Sequence, residues 1–132
     1  MYKRQPKAHI IKTSSTIAEM VKYTTNTFLT VKVSFANEIK QICDKVGVDY
    51  DKVTEYATYD DRLGYSHWSV PGPDGKYGFG GSCFPKDINA LIAVCKKLDI
   101  PCETLSGAWD TNLKVRPEKD WEQLKGRAVV ND

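Results

Sequence analysis

Residues 14–46, SSTIAEMVKYTTNTFLTVKVSFANEIKQICDKV, decide the fold class. Apolar or half-apolar residues recur at Ile17, Met20, Val21, Thr24, Phe28, Val31, Phe35, Ile39, Ile42 and Val46, in steps of three and four that mark one face of a helix. Ser14 or Ser15 can cap the start, Glu19 lies in the early turns, and Gly47 suits the left-handed position just past the end. A helix of about 30 residues spans ~45 Å, longer than a small domain needs. Its β-branched middle (Thr24, Thr25, Thr27, Thr30, Val31, Val33) has poor intrinsic propensity, so packing has to hold it. Part of that packing is expected from a second copy of the chain.

Downstream, Asp49 can cap a short helix over residues 50–59, which the run Asp60-Asp61-Arg62-Leu63-Gly64 ends. Residues 64–82 hold six of the nine glycines and two of the six prolines, too many breakers for a regular element, and loops of this length are commonly functional. Pro85 suits the first turn of a helix over residues 84–99, with Ile88, Leu91, Ile92 and Cys95 on one face and Lys96 and Lys97 near its end. Another helix is expected over residues 103–113, and a short one over 117–124. The fold class is therefore all-α, a long central helix with several shorter ones. The expected divisions are an N-terminal arm (1–13), a helical domain (14–115) and a short helix with a C-terminal tail (116–132).

At 132 residues the chain has the length of one domain, and 41% hydrophobic residues suffice for one core. Nineteen basic against seventeen acidic residues, interspersed, leave +2 and no basic patch for nucleic acid. No apolar run reaches membrane-spanning length and residues 1–12 lack a signal peptide's apolar core, so no membrane partner and a cytoplasmic location are expected. Four cysteines without a close pair, and histidines (His9, His67) distant from any cysteine pair, predict reduced thiols and no metal site.

The chemistry concentrates in residues 78–87, GFGGSCFPKD. Three readings compete. As a phosphate cradle, Gly78-x-Gly80 lacks both the third glycine and a preceding strand. As a tight turn, it would leave Cys83 a small buried hydrophobe, the ordinary fate of a free cysteine and the reading for Cys43, Cys95 and Cys102. As a thiol site, Phe84 stands at the N-cap with Cys83 just before it, beside the unpaired N–H groups and positive dipole end of the next helix, where thiolate is favoured. Lys86 adds positive charge, Asp87 a carboxylate, and the glycines room for a substrate. The thiol reading is the one these residues favour.

GFGGSCFPKD resembles the active-site cysteine segment of the UDP-glucose 6-dehydrogenases, within the UDP-glucose/GDP-mannose dehydrogenase family. Three further stretches match in order: residues 18–26, AEMVKYTTN, resemble the family's AE-x-x-K-x-x-x-N, residues 35–38, FANE, its F-x-N-E, and residues 61–64, DRLG, with Asp60 before them, its D-x-R-[I/L]-G. Together they run across residues 15–115. The resemblance implies an all-α dimerisation domain like the C-terminal domain of 6-phosphogluconate dehydrogenase, and two NAD-dependent oxidations of a UDP-sugar at C6 through a cysteine thioester.

By that resemblance Cys83 is the nucleophile, Lys22 and Asn26 stabilise the oxyanion, and Asp87 orders the hydrolytic water. Arg62 reaches the sugar site of a partner subunit, Tyr77, Phe79, Gly80 and Gly81 contact substrate, and Lys86 lies near the cofactor. Asn37 and Glu38 are read as structural, and His67 and Trp68 receive no chemistry. The implied partners are a second copy through the long helix, a UDP-sugar and a separate Rossmann-domain chain, because no NAD fingerprint is found and the chain reads as a central domain alone. The competing classes are a non-catalytic oligomerisation module that keeps the motif and a free-standing thiol-redox protein.

Overall fold

The computed structural model describes residues 14–124, so the arm at 1–13 and the tail after Leu124 lie outside the described residues. Within them the chain forms α1 (Ser15–Val46), α2 (Tyr50–Ala57), α3 (Cys83–Lys97), α4 (Glu103–Val115) and a short 3-10 turn (Asp120–Gln123), with no strand. The fold class is all-α, as the periodicity predicts. Helices α3 and α4 pack on α1 and on each other, and α2 packs on the far end of α1.

The punctuation residues act as their chemistry dictates. The Ser14 hydroxyl accepts from the Ile17 N–H at 3.2 Å, and Gly47 takes φ +76° to close α1. The Asp49 carboxylate accepts from the N–H groups of Asp51 and Lys52 at the start of α2. Several element ends differ from the sequence reading by a few residues, and one of these touches the glycine segment: α3 begins at Cys83, so Cys83 is its first helical residue and Pro85 its third, not its first. A proline without an N–H costs no hydrogen bond at either place, since the first four N–H groups of a helix have no intrahelical partner.

The face of α1 that meets α3 and α4 is not the apolar stripe. Buried on α1 are Thr27, Thr30, Ser34, Ala36, Asn37 and Cys43. Their small size lets the neighbouring helices approach, and their polar atoms are paired: Thr27 and Thr30 hydroxyls donate to Tyr23 O and Thr27 O, both at 2.6 Å, and Ser34 Oγ donates to Ala108 O at 2.7 Å. The stripe itself lies roughly a third of a turn away around the helix. Phe28 is 64% exposed and Val46 66%, and Ile17, Met20, Val21, Phe35 and Ile42 are also exposed. A helical period shows that an apolar face exists, but not which neighbour covers it.

Two core clusters result. Near the end of α1, Ala36, Cys43, Tyr50 and Val70 pack with Ile39, Val53 and Trp68. Trp68 ties the long loop to this end, its indole N–H donating to Gly64 O at 2.8 Å and its ring meeting Phe35 edge-on. Between α1, α3 and α4, Phe79, Ile88, Ile92 and Ala108 pack with Val31, Phe84, Leu105 and Trp109.

The segment after α4 packs against the same body. Trp121 is buried against Trp109, with ring centroids 5.1 Å apart. Arg116 is 2% exposed; its Nε donates to Asp120 Oδ1 at 2.8 Å and its Nη2 donates to Asp120 Oδ2 at 2.7 Å and Asp74 Oδ2 at 2.8 Å. These bonds to Arg116 hold the Asp120 carboxyl down at about 2 against its partial burial. A carboxyl so depressed stabilises the fold above its unfolded value of about 3.8, and the contribution disappears as pH falls through 2. Discounted for the water that still reaches Asp120, it is worth about 1–2 kcal/mol. Urea unfolding is therefore expected to show the wild type losing this increment between pH 4 and pH 2, with Asp120→Asn already lacking it at pH 5. Equal pH slopes for the two proteins would contradict the assignment.

Candidate functional site

The two best-marked candidates, Asn26 on α1 and Asp87 on α3, are brought together across 61 residues: Asn26 Nδ2 donates to Asp87 Oδ2 at 2.6 Å. Asp87 is fully buried, and its other oxygen, Oδ1, has no hydrogen-bond partner among the described residues. Lys86 Nζ lies 3.8 Å from that oxygen, a loose ion pair with the lysine side chain 38% exposed. A buried carboxylate oxygen left without a donor is costly in a site with no further function, so Asp87 marks the position as a place for an additional donor.

Cys83 stands one helical turn before Asp87, four residues away and thus on the same side of α3. It is exposed, its Sγ 3.8 Å from Ser82 Oγ, whereas Cys43 is buried and Cys95 and Cys102 are half-buried. Burial, with neighbouring Cys102, also pushes the Cys95 thiol up. Lys22 lies one turn before Asn26 on α1 and is exposed. The two i, i+4 pairs, Lys22/Asn26 and Cys83/Asp87, are joined by the Asn26–Asp87 bond.

The glycine segment before Cys83 is held from behind by three side chains to which the sequence reading gave no part in the site. Asn112 in α4 makes both hydrogen bonds of a backbone unit, Oδ1 accepting from Phe79 N at 2.8 Å and Nδ2 donating to Phe79 O at 2.9 Å. Asn37 Oδ1 accepts from Gly78 N at 3.1 Å, and Arg116 Nη1 donates to Tyr77 O at 3.3 Å. The approach is close enough to require glycine: a Cβ on Gly78, at φ +68°, would lie 2.2 Å from Asn112 Oδ1, and one on Gly80 2.3 Å from Arg116 Nη2. The available signal was a run of inward positions on α4, Leu105, Ala108, Trp109, Asn112 and Arg116, in which two polar residues four apart interrupt an apolar face.

A cavity of about 420 Å³ opens beside this segment, lined by Gly78, Phe79, Gly80, Asp74, His67 and Phe84 among others. Of the residues expected to contact substrate, Gly80 lines it, Gly81 is exposed beside it in sequence, and Tyr77 is half exposed. Phe79 is 4% exposed and spends its ring on the core, edge-on to Phe84, so only its cavity-facing edge is available. Arg62 lies elsewhere: its side chain is 89% exposed and forked onto Asp60 at 2.6–3.2 Å. Water screens that pair, so Arg62 can exchange it for another anion at little cost.

With no strand among the described residues, Gly78-Phe79-Gly80 is not the turn of a strand–turn–helix dinucleotide unit. Among them, too, no cluster of three or more His, Cys, Asp or Glu residues could hold a metal, and no helix is long and apolar enough to cross a membrane.

The chain is similar to known proteins. The chain is 41% identical over 109 residues to the UDP-glucose 6-dehydrogenase TuaD of Bacillus subtilis, covering 83% of this chain and 23% of that protein. It is 39% identical over 110 residues to the GDP-mannose 6-dehydrogenase of Pseudomonas aeruginosa, covering 83% of this chain and 24% of that one. Its fold matches the structure of a UDP-glucose dehydrogenase from the hyperthermophilic archaeon Pyrobaculum islandicum with a TM-score of 0.67 and 37% identity, over 74% of this chain and 22% of the other. The chain thus spans about a quarter of the length of the curated relatives it matches. Residues 16–114 match the model of the UDP-glucose/GDP-mannose dehydrogenase family, central domain, and the chain belongs to that family.

Proposed function

We propose that this chain supplies the thiol nucleophile and its supporting groups for the two-step oxidation of UDP-glucose to UDP-glucuronate, working with a Rossmann domain that holds NAD. The observation that carries this reading is the Asn26–Asp87 bond, which brings two separate family motifs into one buried cluster one turn from an exposed cysteine. In this reading Cys83 Sγ adds to the C6 aldehyde carbon, and the carbonyl π electrons move to oxygen. Asn26 and Lys22 lie on the helix face suited to stabilise that oxyanion. Asp87, with one oxygen already fixed by Asn26, has its free oxygen to accept a proton from the water that later cleaves the thioester. When bound, the dinucleotide would supply hydride acceptance. Lys86, beside Asp87 and partly exposed, is suited to a contact near that cofactor.

The reading is tested by carbamidomethylation with iodoacetamide at neutral pH. Cys83 is expected to react at least about ten-fold faster than Cys43, Cys95 or Cys102 and to be shielded by UDP-glucose. Equal rates for all four thiols would remove the nucleophile from the proposal.

The exposed stripe on α1 supports a homodimer across the long helix, with Arg62 contributing to the partner's site. At tens of micromolar, light scattering is expected to give twice the 14.9 kDa chain mass, and Phe28→Glu, which places a charge in the middle of the stripe, to give the single mass. A monomeric wild type would contradict it. The stripe equally suits a non-catalytic oligomerisation module that keeps the motif, which the shielding of Cys83 separates from the catalytic reading.

A further inference from the structure

We propose that Arg116 is a positioning residue that sets the shape of the sugar-nucleotide cavity; this rests on the reading of the Cys83 neighbourhood given above. Two of the loop residues that line the cavity, Asp74 and Gly80, lie against Arg116. Asp74 is gripped at both oxygens, Oδ2 by Arg116 Nη2 at 2.8 Å and Oδ1 by the Lys76 N–H at 3.0 Å. Tyr77 O accepts from Arg116 Nη1, and Gly80, also at the cavity wall, lies so close to the guanidinium that no Cβ fits between them.

The grip is anchored from below. Asp120 takes Nε and Nη2 in a forked pair at 2.8 and 2.7 Å, and Lys76 Nζ closes on the same carboxylate at 3.5 Å. Arg116 is 2% exposed, whereas the Asp74 side chain is 47% exposed. One planar, fully buried cation therefore fixes the loop at three points, residues 74, 77 and 80, of which the last is three residues from Cys83. A lysine has neither the fork nor the flat face to do this. The loop between Gly72 and Gly81 contains no helix or strand of its own, and only two backbone–backbone bonds join its members, Gly72 N to Lys76 O and Gly75 N to Gly72 O. Its shape beyond residue 76 depends on Arg116, Asn112 and Asn37.

The experiment compares the 132-residue chain with Arg116→Met and Arg116→Lys, by amide hydrogen exchange and by UDP-glucose shielding of Cys83 from iodoacetamide, at a temperature where circular dichroism shows each fully helical. In Arg116→Met, exchange at residues 75–81 is expected to rise about ten-fold with α1 and α3 unchanged, and the UDP-glucose concentration for half-shielding to rise by about the same factor. Arg116→Lys should fall between the two, since charge alone restores part of the grip. Unchanged loop exchange, a rise shared equally by α1 and α3, or an unaltered half-shielding concentration would overturn the proposal. If UDP-glucose fails to shield even the wild type, the sugar-nucleotide reading falls, and a loop-confined rise in exchange still decides whether Arg116 sets the cavity wall. Should Arg116→Met not fold, Asp74→Asn removes one contact of the network, and a loop-confined rise of about three-fold is then expected, with no rise overturning the proposal.

Discussion

Replacing Cys83 with serine is expected to lower UDP-glucose oxidation by at least about a thousand-fold, measured as NADH formed when the chain is combined with an NAD-binding Rossmann domain of the family. Serine keeps the size and position of the side chain at the first residue of α3, so folding should be untouched. What it removes is nucleophilicity: a hydroxyl is ionised far less readily than a thiol and forms an ester in place of a thioester. Asp87→Asn tests the partner group. It keeps the shape of a fully buried side chain but removes the carboxylate that accepts from Asn26. A fall in turnover with intact binding is expected, because in the proposed mechanism the group acts on water rather than on the sugar. Full activity of the Cys83→Ser assembly would leave the chain an oligomerisation module, and NADH production by these 132 residues alone would overturn their need for a Rossmann domain.

Asn112→Ala should have the largest effect on stability. Asn112 is completely buried and makes two hydrogen bonds to one backbone unit, Phe79 N and Phe79 O, in a segment that no helix supports. Alanine leaves both groups buried and unpaired at about 1–3 kcal/mol each, against a helix-propensity gain of about 0.5 kcal/mol, so the loss dominates at roughly 2–5 kcal/mol. For a chain of this size that lowers Tm by about 10 °C or more. Lys114→Ala, an exposed position of the same helix, should change stability by less than about 0.5 kcal/mol. A drop in Tm of less than about 3 °C for Asn112→Ala would show that the loop finds other partners or opens to water.

Much of the architecture is local chemistry and can be read from the chain. Ser14, Gly47 and Asp49 mark helix ends because capping needs only a side-chain acceptor or a residue tolerant of positive φ. The α3 boundary was displaced by two residues because proline fits any of the first helical positions. The site was half legible. Cys83, Lys22, Asn26 and Asp87 stand in motifs of fixed spacing, whereas Asn112 in α4 and Arg116 just past its end belong to no motif, and their hold on the glycine loop reaches across more than thirty residues.

The amino-acid sequence by itself determined the helices, their ends, the existence of one apolar stripe on the long helix and the residue types of the thiol site, since each depends on neighbours within a few positions. Only the tertiary structure decided that most of the stripe points away from the chain's own core, with Val31 and Ile39 packed into it, because Thr27, Thr30, Ser34 and Asn37 let α3 and α4 pack closer than Phe28 or Phe35 could. It alone decided, too, that Asn26 meets Asp87 and that Arg116 and Asn112 hold the glycines. Those are contacts across tens of residues, and they are set by how the helices pack rather than by spacing along any one of them.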